Sequence, residues 1–474
     1  MLTRSDFLRR AVAAGVGVAA GGRLLGDAAR ADSFVPPVHA YVTRPDLRPP
    51  VVTVRRHERG ATAAGLIFMA PLSGPGMRGV YLVDDSGDPV FFHPTRPAVG
   101  LNFRAAVYRG KPVLTWWEGK TQEGLGLGTH VVLDSTYRLV QHVHAGNGHA
   151  SDLHEFLITN RDTALVTAWE PVETAQGIVV NGIIQELELP SGRVLFEWKS
   201  LDHVPVSESY TSFDRNGRWD YFHVNSVERL VDGHYLVSAR NTWCVYKIDG
   251  ETGSVIWRLG GKRNDFWMGP GTRFAWQHDA RLHPGNLLSV FDDGGAPKVQ
   301  PQSKGLMLHL DVKRLRATLH RRYVHHPPAV AHALGSMQVL PNGNVLVGWG
   351  TSPYFTEYTD DGRIVLDATL PRGGQSYRTL RFPWRGEPYY PPRAKATRHA
   401  AGHLLHVTWN GATEVAQWQL AYGPSPAAVE PQRTVPRDHF ETRIAVPAGA
   451  RYARATALDA QGRPLGTTKV VPLE

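Results

Sequence analysis

The stretch HVNSVERLVDGHYLVSARNTWCVYKIDGETGSVIWRL, residues 223–259, contains short apolar runs that are separated by polar turns. Apolar and polar residues alternate within the runs, and glycine and aspartate mark the turns between them. This pattern predicts two consecutive β-hairpins, which together form one unit of four antiparallel strands.

Similar units recur along the chain. First hairpins begin at Asn102, His154, His223, His278 and Gly335. Second hairpins are predicted at residues 79–94, 183–198, 244–259, 306–323 and 355–370. The recurrence predicts an all-β fold, a six-bladed β-propeller, because about six blades of four strands that close radially leave few exposed sheet edges. A stack of β-sandwiches is the main structural alternative.

The pattern changes after Trp384. A proline-rich connector, RGEPYYPPRAK, is followed by strand-like runs in residues 403–423 and 451–471. These runs predict a small C-terminal β-sandwich that is fibronectin-type-III-like. The expected boundaries are a propeller catalytic domain over residues 34–385 and the sandwich over residues 388–474.

The N-terminal residues 1–31 have the layout of a signal peptide, with basic residues before the charge-free stretch Ala11–Gly22 and a cleavage site after Ala31. TRSDFLRR, residues 3–10, is similar to a twin-arginine signal in which Ser5 replaces the second arginine. Twelve uncharged residues are too few to span a bilayer comfortably. We therefore expect export, by the Sec or a relaxed twin-arginine route, to the periplasm, cell surface or extracellular space, without stable membrane insertion.

The composition limits the classes of partner and site. The formal net charge is +9, but no run of Lys and Arg alternates with aromatic residues, so nucleic acid is not an expected partner. A mild positive bias favours anionic substrates. Cys244 is the single cysteine, which excludes an intrachain disulfide and a cysteine-based metal site.

Three histidines occupy the first position of their units, where Asn102 and Gly335 stand in neighbouring units. They are His154, His223 and His278, which lie 69 and 55 residues apart. The first strand of each propeller blade lines the central channel, so we expect the three imidazoles to meet. An apolar strand would favour Val or Ile there, and a buried imidazole costs free energy unless its polar atoms are used. The pattern therefore predicts one shared functional site.

Further polar and aromatic residues are expected around these rings. Asn225 lies two positions after His223 and so on the same face of a strand. Arg240 ends the next strand of that unit, and its guanidinium suits an oxyanion. His332 is expected to reach the rim of the site. Aromatic residues that could stack on a substrate ring at the channel mouth are Trp276, Tyr221 and Trp349.

The residues alone leave three chemistries open. A histidine could accept an electrophilic group from an ester, with the other imidazoles and Arg240 holding the developing charge. The three histidines could instead bind a metal ion and activate water in a hydrolase or lyase. The third alternative is a binding site without turnover, for an anionic aromatic compound or a sugar.

Four stretches resemble the arylsulfotransferase family of bacterial and fungal exported proteins. The resemblance lies in residues 219–266 and 274–282 (FAWQHDARL), with SDLHEFLIT at 151–159 and VPVSESY at 204–210, and it extends over roughly residues 34–470. It implies a six-bladed propeller with the site at its centre. It also implies sulfuryl transfer from a small aryl sulfate to a phenolic acceptor, without the nucleotide sulfate donor, a cofactor or a metal.

The resemblance also implies roles for individual residues. His278 matches the histidine that is transiently sulfated in the family. The residues that hold the sulfate match His154, His223 and Arg240, and Asn225 lies beside His223. The enteric members carry a cysteine pair that this chain lacks.

Overall fold

The computed structural model describes residues 37–400 and 402–473. The predicted signal peptide, residues 1–31, lies outside the described residues. The described chain is all-β, as the alternation of apolar residues predicts. Its helices are three-residue 3₁₀ turns at Ser200–Asp202, Val206–Glu208 and Pro284–Asn286. None of the helices in the described part of the chain is long and apolar enough to cross a bilayer.

Most of the chain forms antiparallel meanders of four strands. Strand β1 (Thr53–His57) precedes them and pairs with the last meander. The first meander contains β2 (Leu66–Ser73), β3 (Gly79–Val83) and β4 (Pro89–Pro94). The second contains β5 (Val99–Tyr108), β6 (Lys111–Gln122), β7 (Leu125–Asp134) and β8 (Leu139–Val143). The third contains β9 (Ala150–Ile158), β10 (Thr163–Thr174), β11 (Gly177–Glu188) and β12 (Val194–Lys199).

The next meanders repeat this order. After β13 (Arg218–Trp219), the fourth contains β14 (Val224–Arg229), β15 (Tyr235–Ala239), β16 (Cys244–Ile248) and β17 (Val255–Gly260). After β18 (Trp267–Met268), the fifth contains β19 (His278–His283), β20 (Leu287–Asp292), β21 (Lys304–Asp311) and β22 (Arg316–Tyr323). The sixth contains β23 (Ser336–Val339), β24 (Val345–Gly348), β25 (Tyr354–Tyr358) and β26 (Ile364–Thr369).

The first sheet is completed by a strand from far along the chain. Strand β27 (Gln375–Phe382) pairs with β2, which gives the strand order β27-β2-β3-β4. The innermost strands of successive meanders contact one another in the order β5, β9, β14, β19, β23 and β27, and β27 also contacts β5. The innermost strands therefore form a closed ring of contacts.

Apolar clusters fill the spaces between neighbouring meanders. Phe68 and Leu82 of the first meander, for example, share a cluster with Phe103 and Leu114 of the second. Equivalent clusters join the second to the third meander and so on, and the sixth is joined to the first. Each sheet therefore buries apolar side chains on both faces, and burial of apolar surface is the main stabilising term in folding.

The remaining strands form two further sheets. They are β28 (Arg393–His399), β29 (Gly402–Thr408), β30 (Gln417–Gly423), β31 (Glu430–Pro436), β32 (Glu441–Pro447), β33 (Tyr452–Leu458), β34 (Pro464–Thr467) and β35 (Val471–Pro472). One sheet has the order β28-β29-β32, and the other is built on β31-β30-β33-β34. A shared apolar cluster lies between them, around Leu405, Trp418 and Ile444. The predicted domain boundaries and the fibronectin-type-III assignment stay predictions.

Candidate active site

A cavity of about 760 Å³ brings four of the predicted site residues together. His154, His223, His278 and Arg240 all line it. The imidazole rings of His154 and His223 are in edge-to-face contact, with their centroids 4.7 Å apart. The ring of Tyr377 lies against both His154 and His278, at centroid distances of 5.6 and 6.3 Å. Residues from the third, fourth and fifth meanders therefore meet at one place in the ring.

Irregular strand pairing aims these histidines into the cavity. In β9, four residues from Asp152 to Glu155 lie opposite the single residue Thr167 of β10, and His154 is one of the four. In β19, the pairing with β20 shifts directly after His278, and the next residue, Asp279, has a positive φ of 55°. Such β-bulges re-aim side chains and are common beside active sites.

Each imidazole has its Nδ1 atom tied to a carboxylate. His278 Nδ1 lies 2.7 Å from Asp293 Oδ2, and both side chains are buried. His154 Nδ1 makes a 2.5 Å contact with Asp152, and His223 Nδ1 bonds to Asp220. A ring that donates its Nδ1–H to a carboxylate carries its free lone pair on Nε2. The pairing therefore prepares each Nε2 to act as a nucleophile or acceptor.

Burial keeps two of these rings neutral near pH 7. The pKa of His278 lies well below its usual value because the ring is buried and the guanidinium of Arg240 is close. Burial also lowers the pKa of His154, although the carboxylate of Asp152 opposes this shift. Burial raises the pKa of Asp293. An ionised Asp293 in contact with the His278 ring stabilises positive charge that develops there, because nearby opposite charges favour each other.

Arg240 is held beside the histidines without an ion-pair partner among the described residues. Its guanidinium donates to Asn241 Oδ1 at 2.9 Å and to the carbonyl oxygen of His332 at 3.1 Å. It also lies over the ring of Trp276, 4.8 Å from the centroid. Its backbone N–H bonds to the carbonyl oxygen of His223. The positive charge is therefore fixed in place and available to an anion.

Three predicted substrate-binding residues do not line this cavity. Asn225 is fully buried and donates from Nδ2 to the carbonyl oxygen of Gln277 at 2.7 Å. The alternation counted from His223 fails because His223 lies just before β14 and has a positive φ of 56°. Trp276 is 2% exposed, and the guanidinium of Arg240 lies over its ring. His332 has Nδ1 3.2 Å from the carbonyl oxygen of Gly295 and reaches the site through its own carbonyl group.

The predicted aromatic mouth is also absent among the described residues. Tyr221 and Trp349 are fully buried, and they belong to the apolar clusters between meanders. The described side chains that line the cavity include no Phe, Tyr or Trp. The expectation of aryl stacking on Trp276, Tyr221 and Trp349 is therefore not met. Packing between sheets uses the rings of Tyr221 and Trp349, and the ring of Trp276 lies against Arg240 and Trp243.

Several site residues escaped the sequence reasoning. The carboxylates Asp152, Asp220 and Asp293 lie two before, three before and fifteen after their histidines, so no common spacing marks them. Tyr377 and Arg378 come from β27, outside the predicted hairpins. A weak signal was available in the neighbouring aspartates of SDLH and WDYFH, which precede two of the histidines closely.

A buried ionic network supports the ring of strands beside the histidines. Arg378 bonds to Glu155 at 2.7 Å, and Arg281 reaches both Glu155 and Asp279. Burial raises the pKa of Glu155, but the guanidinium groups of Arg281 and Arg378 outweigh this and bring it to about 2. Because Glu155 follows His154 and Asp279 follows His278, the network joins the two histidine-bearing strands.

Replacing Tyr377 with phenylalanine tests whether the hydrogen bonds of its hydroxyl group position the histidines. The Tyr377 hydroxyl donates to the carbonyl oxygens of His154 and Asn225, at 3.1 and 3.2 Å. We expect about a 10-fold loss of kcat with KM nearly unchanged, because small displacements of reacting groups are costly. Stability should fall by roughly 1 kcal/mol.

Tyr81→Phe is the matched control for this variant. Tyr81 is equally buried, and its hydroxyl donates to the carbonyl oxygen of Pro50 at 3.1 Å. Thermal unfolding and steady-state kinetics of both variants should show similar stability losses but reduced turnover only for Tyr377→Phe. Equal kinetics in the two variants would assign Tyr377 a purely structural role.

The geometry of a metal site is missing from the described residues. Within residues 37–400 and 402–473, no group of three or more His, Cys, Asp and Glu side chains could hold a metal ion. The pairing of each Nδ1 atom with a carboxylate leaves the Nε2 atom of each imidazole free. The arrangement suits nucleophilic attack and anion binding.

Comparison with solved structures finds matches at low identity and low TM-score. A crystal structure of a protein of unknown function from Bacteroides caccae is 13% identical and aligns over 67% of this chain and 98% of its own, with a TM-score of 0.43. A streptogramin B lyase is 11% identical over 66% and 86% of the two chains, with a TM-score of 0.36. Virginiamycin B lyase from Staphylococcus aureus is 8% identical over 75% and 95%, with a TM-score of 0.34.

Comparison with protein families is more informative. No curated protein matches this chain. The family model described as arylsulfotransferase (ASST) matches residues 104–370, which is more than half of the chain. The matched region contains His154, His223, Arg240 and His278. The chain therefore belongs to the arylsulfotransferase family.

Proposed function

We propose that this protein is an arylsulfate sulfotransferase that moves a sulfuryl group from a phenolic sulfate ester to a phenolic acceptor through a sulfated His278. The observation that carries this proposal is the meeting of His154, His223 and His278 with Arg240 in one cavity. Membership of the family supports it. The reaction needs no nucleotide sulfate donor, cofactor or metal.

In the first half-reaction, the lone pair of His278 Nε2 attacks the sulfur of the donor. The N–S bond forms, the S–O bond to the aryl group breaks, and the phenolate leaves with the electron pair. Positive charge that develops on the ring is balanced by Asp293, which accepts the Nδ1–H bond. Arg240 offers two donors to the equatorial sulfuryl oxygens, as basic groups do in phosphoryl transfer.

The second half-reaction reverses these steps with a new phenol. The acceptor oxygen attacks the sulfur, the N–S bond breaks, and the electron pair returns to Nε2. The leaving phenolate needs a proton, and the attacking phenol must lose one. His223 is the least buried of the three histidines, with a side-chain exposure of 11%, and its pairing with Asp220 suits proton transfer. General acid–base help of this kind typically contributes roughly 10²–10⁴-fold.

The proposal extends to architecture and location. Six meanders whose innermost strands contact in a ring support a six-bladed propeller with the site at one end of its channel. The two C-terminal sheets around one core support a fibronectin-type-III-like sandwich. The basic N-terminal residues before an uncharged stretch support export.

Turnover of a chromogenic donor tests the proposed function. Purified protein is incubated with 4-nitrophenyl sulfate, with and without phenol, and with and without a chelator. We expect 4-nitrophenol release that depends on phenol and is unaffected by the chelator. Release that requires a metal and ignores phenol would indicate a hydrolase, and no release would indicate a binding protein.

A mass measurement tests the covalent intermediate directly. After exposure to donor alone and digestion at neutral pH, we expect a sulfated peptide that contains residues 274–281. The adduct should disappear when phenol is added, because the acceptor removes the sulfuryl group. Turnover without any adduct would contradict the two-step route.

Arg240→Lys tests the role of the guanidinium. Lysine keeps the charge but cannot offer two parallel donors, and it loses the planar contact with Trp276. We expect kcat/KM for the donor to fall roughly 10–10²-fold, less than the 10²–10³-fold typical of removing a donor altogether. Steady-state kinetics check this, and an unchanged rate would show that Arg240 does not contact the sulfuryl group.

The pH profile tests the protonation state of His278. Its pKa is lowered, so the ring stays neutral and nucleophilic until the pH falls below its usual titration range near 6.5. We therefore expect the acid limb of kcat/KM for the donor to lie below pH 6.5. A limb above that value would mean that another group controls the reaction.

A further inference from the structure

The wall of the catalytic cavity differs from the aromatic wall expected for aryl substrates. One side is aliphatic and is formed by Leu72, Val99, Leu101, Leu125, Leu153 and Leu334. Most of these residues belong to one apolar cluster that also includes Trp117 and Tyr377. This cluster draws on the first, second and third meanders and on the segment before the sixth, whereas the larger clusters each join two neighbours. It is therefore an apolar surface that faces the cavity.

Part of this surface is left uncovered by the protein. Leu72, Val99 and Leu334 are only partly buried, whereas Leu101, Leu125 and Leu153 are buried behind them at 3–4% exposure. Aliphatic side chains contribute to the free energy of binding by removing apolar area from water, and the ligand group that they contact does not have to be flat. The wall therefore favours a bulky apolar group on the substrate rather than a flat aromatic ring.

The cavity is also large for a simple phenol. Its volume of about 760 Å³ falls within the range that encloses whole drug-sized ligands, roughly 300–1,000 Å³. The sulfuryl group and one ring would occupy only the part beside His278 and Arg240. Space beside the aliphatic wall remains for a second group on the substrate.

Two arginines that line the cavity form no salt bridge with another described residue, although the carboxylates of Glu123 and Asp214 also line it. Arg78 lies just before β3, and Arg215 lies in the loop before β13, and both are exposed. Arg218, by contrast, lies 3.4 Å from Glu123 and over the ring of Trp169. Exposed arginines that form no salt bridge can attract a negative group on the incoming molecule.

We propose that the preferred substrates are phenols with a bulky aliphatic or alicyclic body and an anionic group remote from the reacting hydroxyl. The body lies on the aliphatic wall, and the anionic group meets Arg78 and Arg215. This inference rests on the proposed function for the identity of the reacting group. Its binding consequences are measured separately from turnover.

Four matched phenols test the inference by calorimetry with the His278→Ala protein, which removes turnover. They are phenol, 4-phenylphenol, 4-cyclohexylphenol and 4-(4-hydroxyphenyl)cyclohexane-1-carboxylic acid. We expect 4-cyclohexylphenol to bind at least about 10-fold tighter than phenol, because an added hydrocarbon group of even one carbon can be worth that much in a fitting pocket. It should bind at least as tightly as 4-phenylphenol. The carboxylated compound should gain about 2- to 5-fold more, as exposed ion pairs do, and this gain should vanish at high salt.

Two variants with controls locate these effects. Leu72→Ser should weaken binding of 4-cyclohexylphenol about 5-fold and leave phenol unchanged, since it removes apolar area from the wall alone. Arg215→Ala should remove most of the gain from the carboxylate. Leu465→Ser and Arg398→Ala replace exposed residues of the C-terminal sheets and should change nothing.

Each result decides one part of the inference. Equal binding of phenol and 4-cyclohexylphenol would overturn the aliphatic site, and much tighter binding of 4-phenylphenol would indicate stacking instead. If the carboxylated compound binds no more tightly than 4-cyclohexylphenol, the proposed role of the arginines is overturned. If wild-type protein binds the compounds as expected but transfers no sulfuryl group to them, the proposed function fails while the binding inference stands.

Discussion

We expect His278→Ala to lower donor turnover by several orders of magnitude while the protein remains folded. Loss of a covalent nucleophile typically costs on the order of 10⁴- to 10⁶-fold in kcat, because the remaining groups can only bind and polarise the substrate. Arg240 and the other two histidines stay in place, so donor binding should change little. The measurement is release of 4-nitrophenol from 4-nitrophenyl sulfate at saturating phenol, together with the loss of the sulfated peptide.

His283→Ala is the control for this variant. His283 lies on the same strand, β19, and its Nε2 atom bonds to Ser289 at 2.8 Å, away from the cavity. Its replacement should leave turnover within about threefold of wild type, as is usual for substitutions outside a site. A His278→Ala protein that keeps a near-normal rate would exclude this residue as the nucleophile.

Asp293→Asn should reduce turnover by roughly 10²–10⁴-fold, since loss of the carboxylate beside a catalytic histidine has effects of this size. Asp293 accepts the Nδ1–H bond of His278 at 2.7 Å, and this bond leaves the lone pair on Nε2. An asparagine amide can donate to Nδ1 instead, which places the ring proton on Nε2 and blocks attack. It also removes the negative charge that balances the sulfated ring.

Asp292→Asn provides a neighbouring comparison. Asp292 is equally buried, but it contacts Lys304 and the backbone of Ala275 rather than a histidine. This change should lower stability and leave turnover largely intact. Measurements of the sulfation burst and of thermal unfolding for both variants separate the two effects. A normal burst in Asp293→Asn would show that the tautomer of His278 is set by another contact.

Much of the fold follows from local patterns. Alternation of apolar residues with polar turns predicted the hairpins at residues 223–259, where β14 to β17 form. The prediction works because the two-residue period of a strand and the preference of turns for Gly, Asn and Asp act over a few residues. The recurrence of this pattern also indicated that His154, His223 and His278 occupy related positions, and all three line one cavity.

The site residues that were wrongly placed by sequence reasoning depend on contacts between distant parts of the chain. Trp276 and Trp349 were expected at the channel mouth, but both rings are buried. Trp349 packs between the fifth and sixth meanders, and Trp276 lies against Arg240 and Trp243. Asn225 was placed by counting alternation from His223, which the positive φ of that residue interrupts. A bulge or a buried face depends on the partner strand, and the local sequence does not reveal it.

The amino-acid sequence by itself determined the antiparallel units, the three histidines and Arg240, because short-range periodicity and residue chemistry are local properties. Only the tertiary structure decided which carboxylate holds each imidazole, that Tyr377 and Arg378 of β27 join the site, and that the cavity wall is aliphatic. These features depend on strands that meet around a ring after wide separation along the chain. Their side-chain contacts have no fixed spacing that a reading of residues in order can detect.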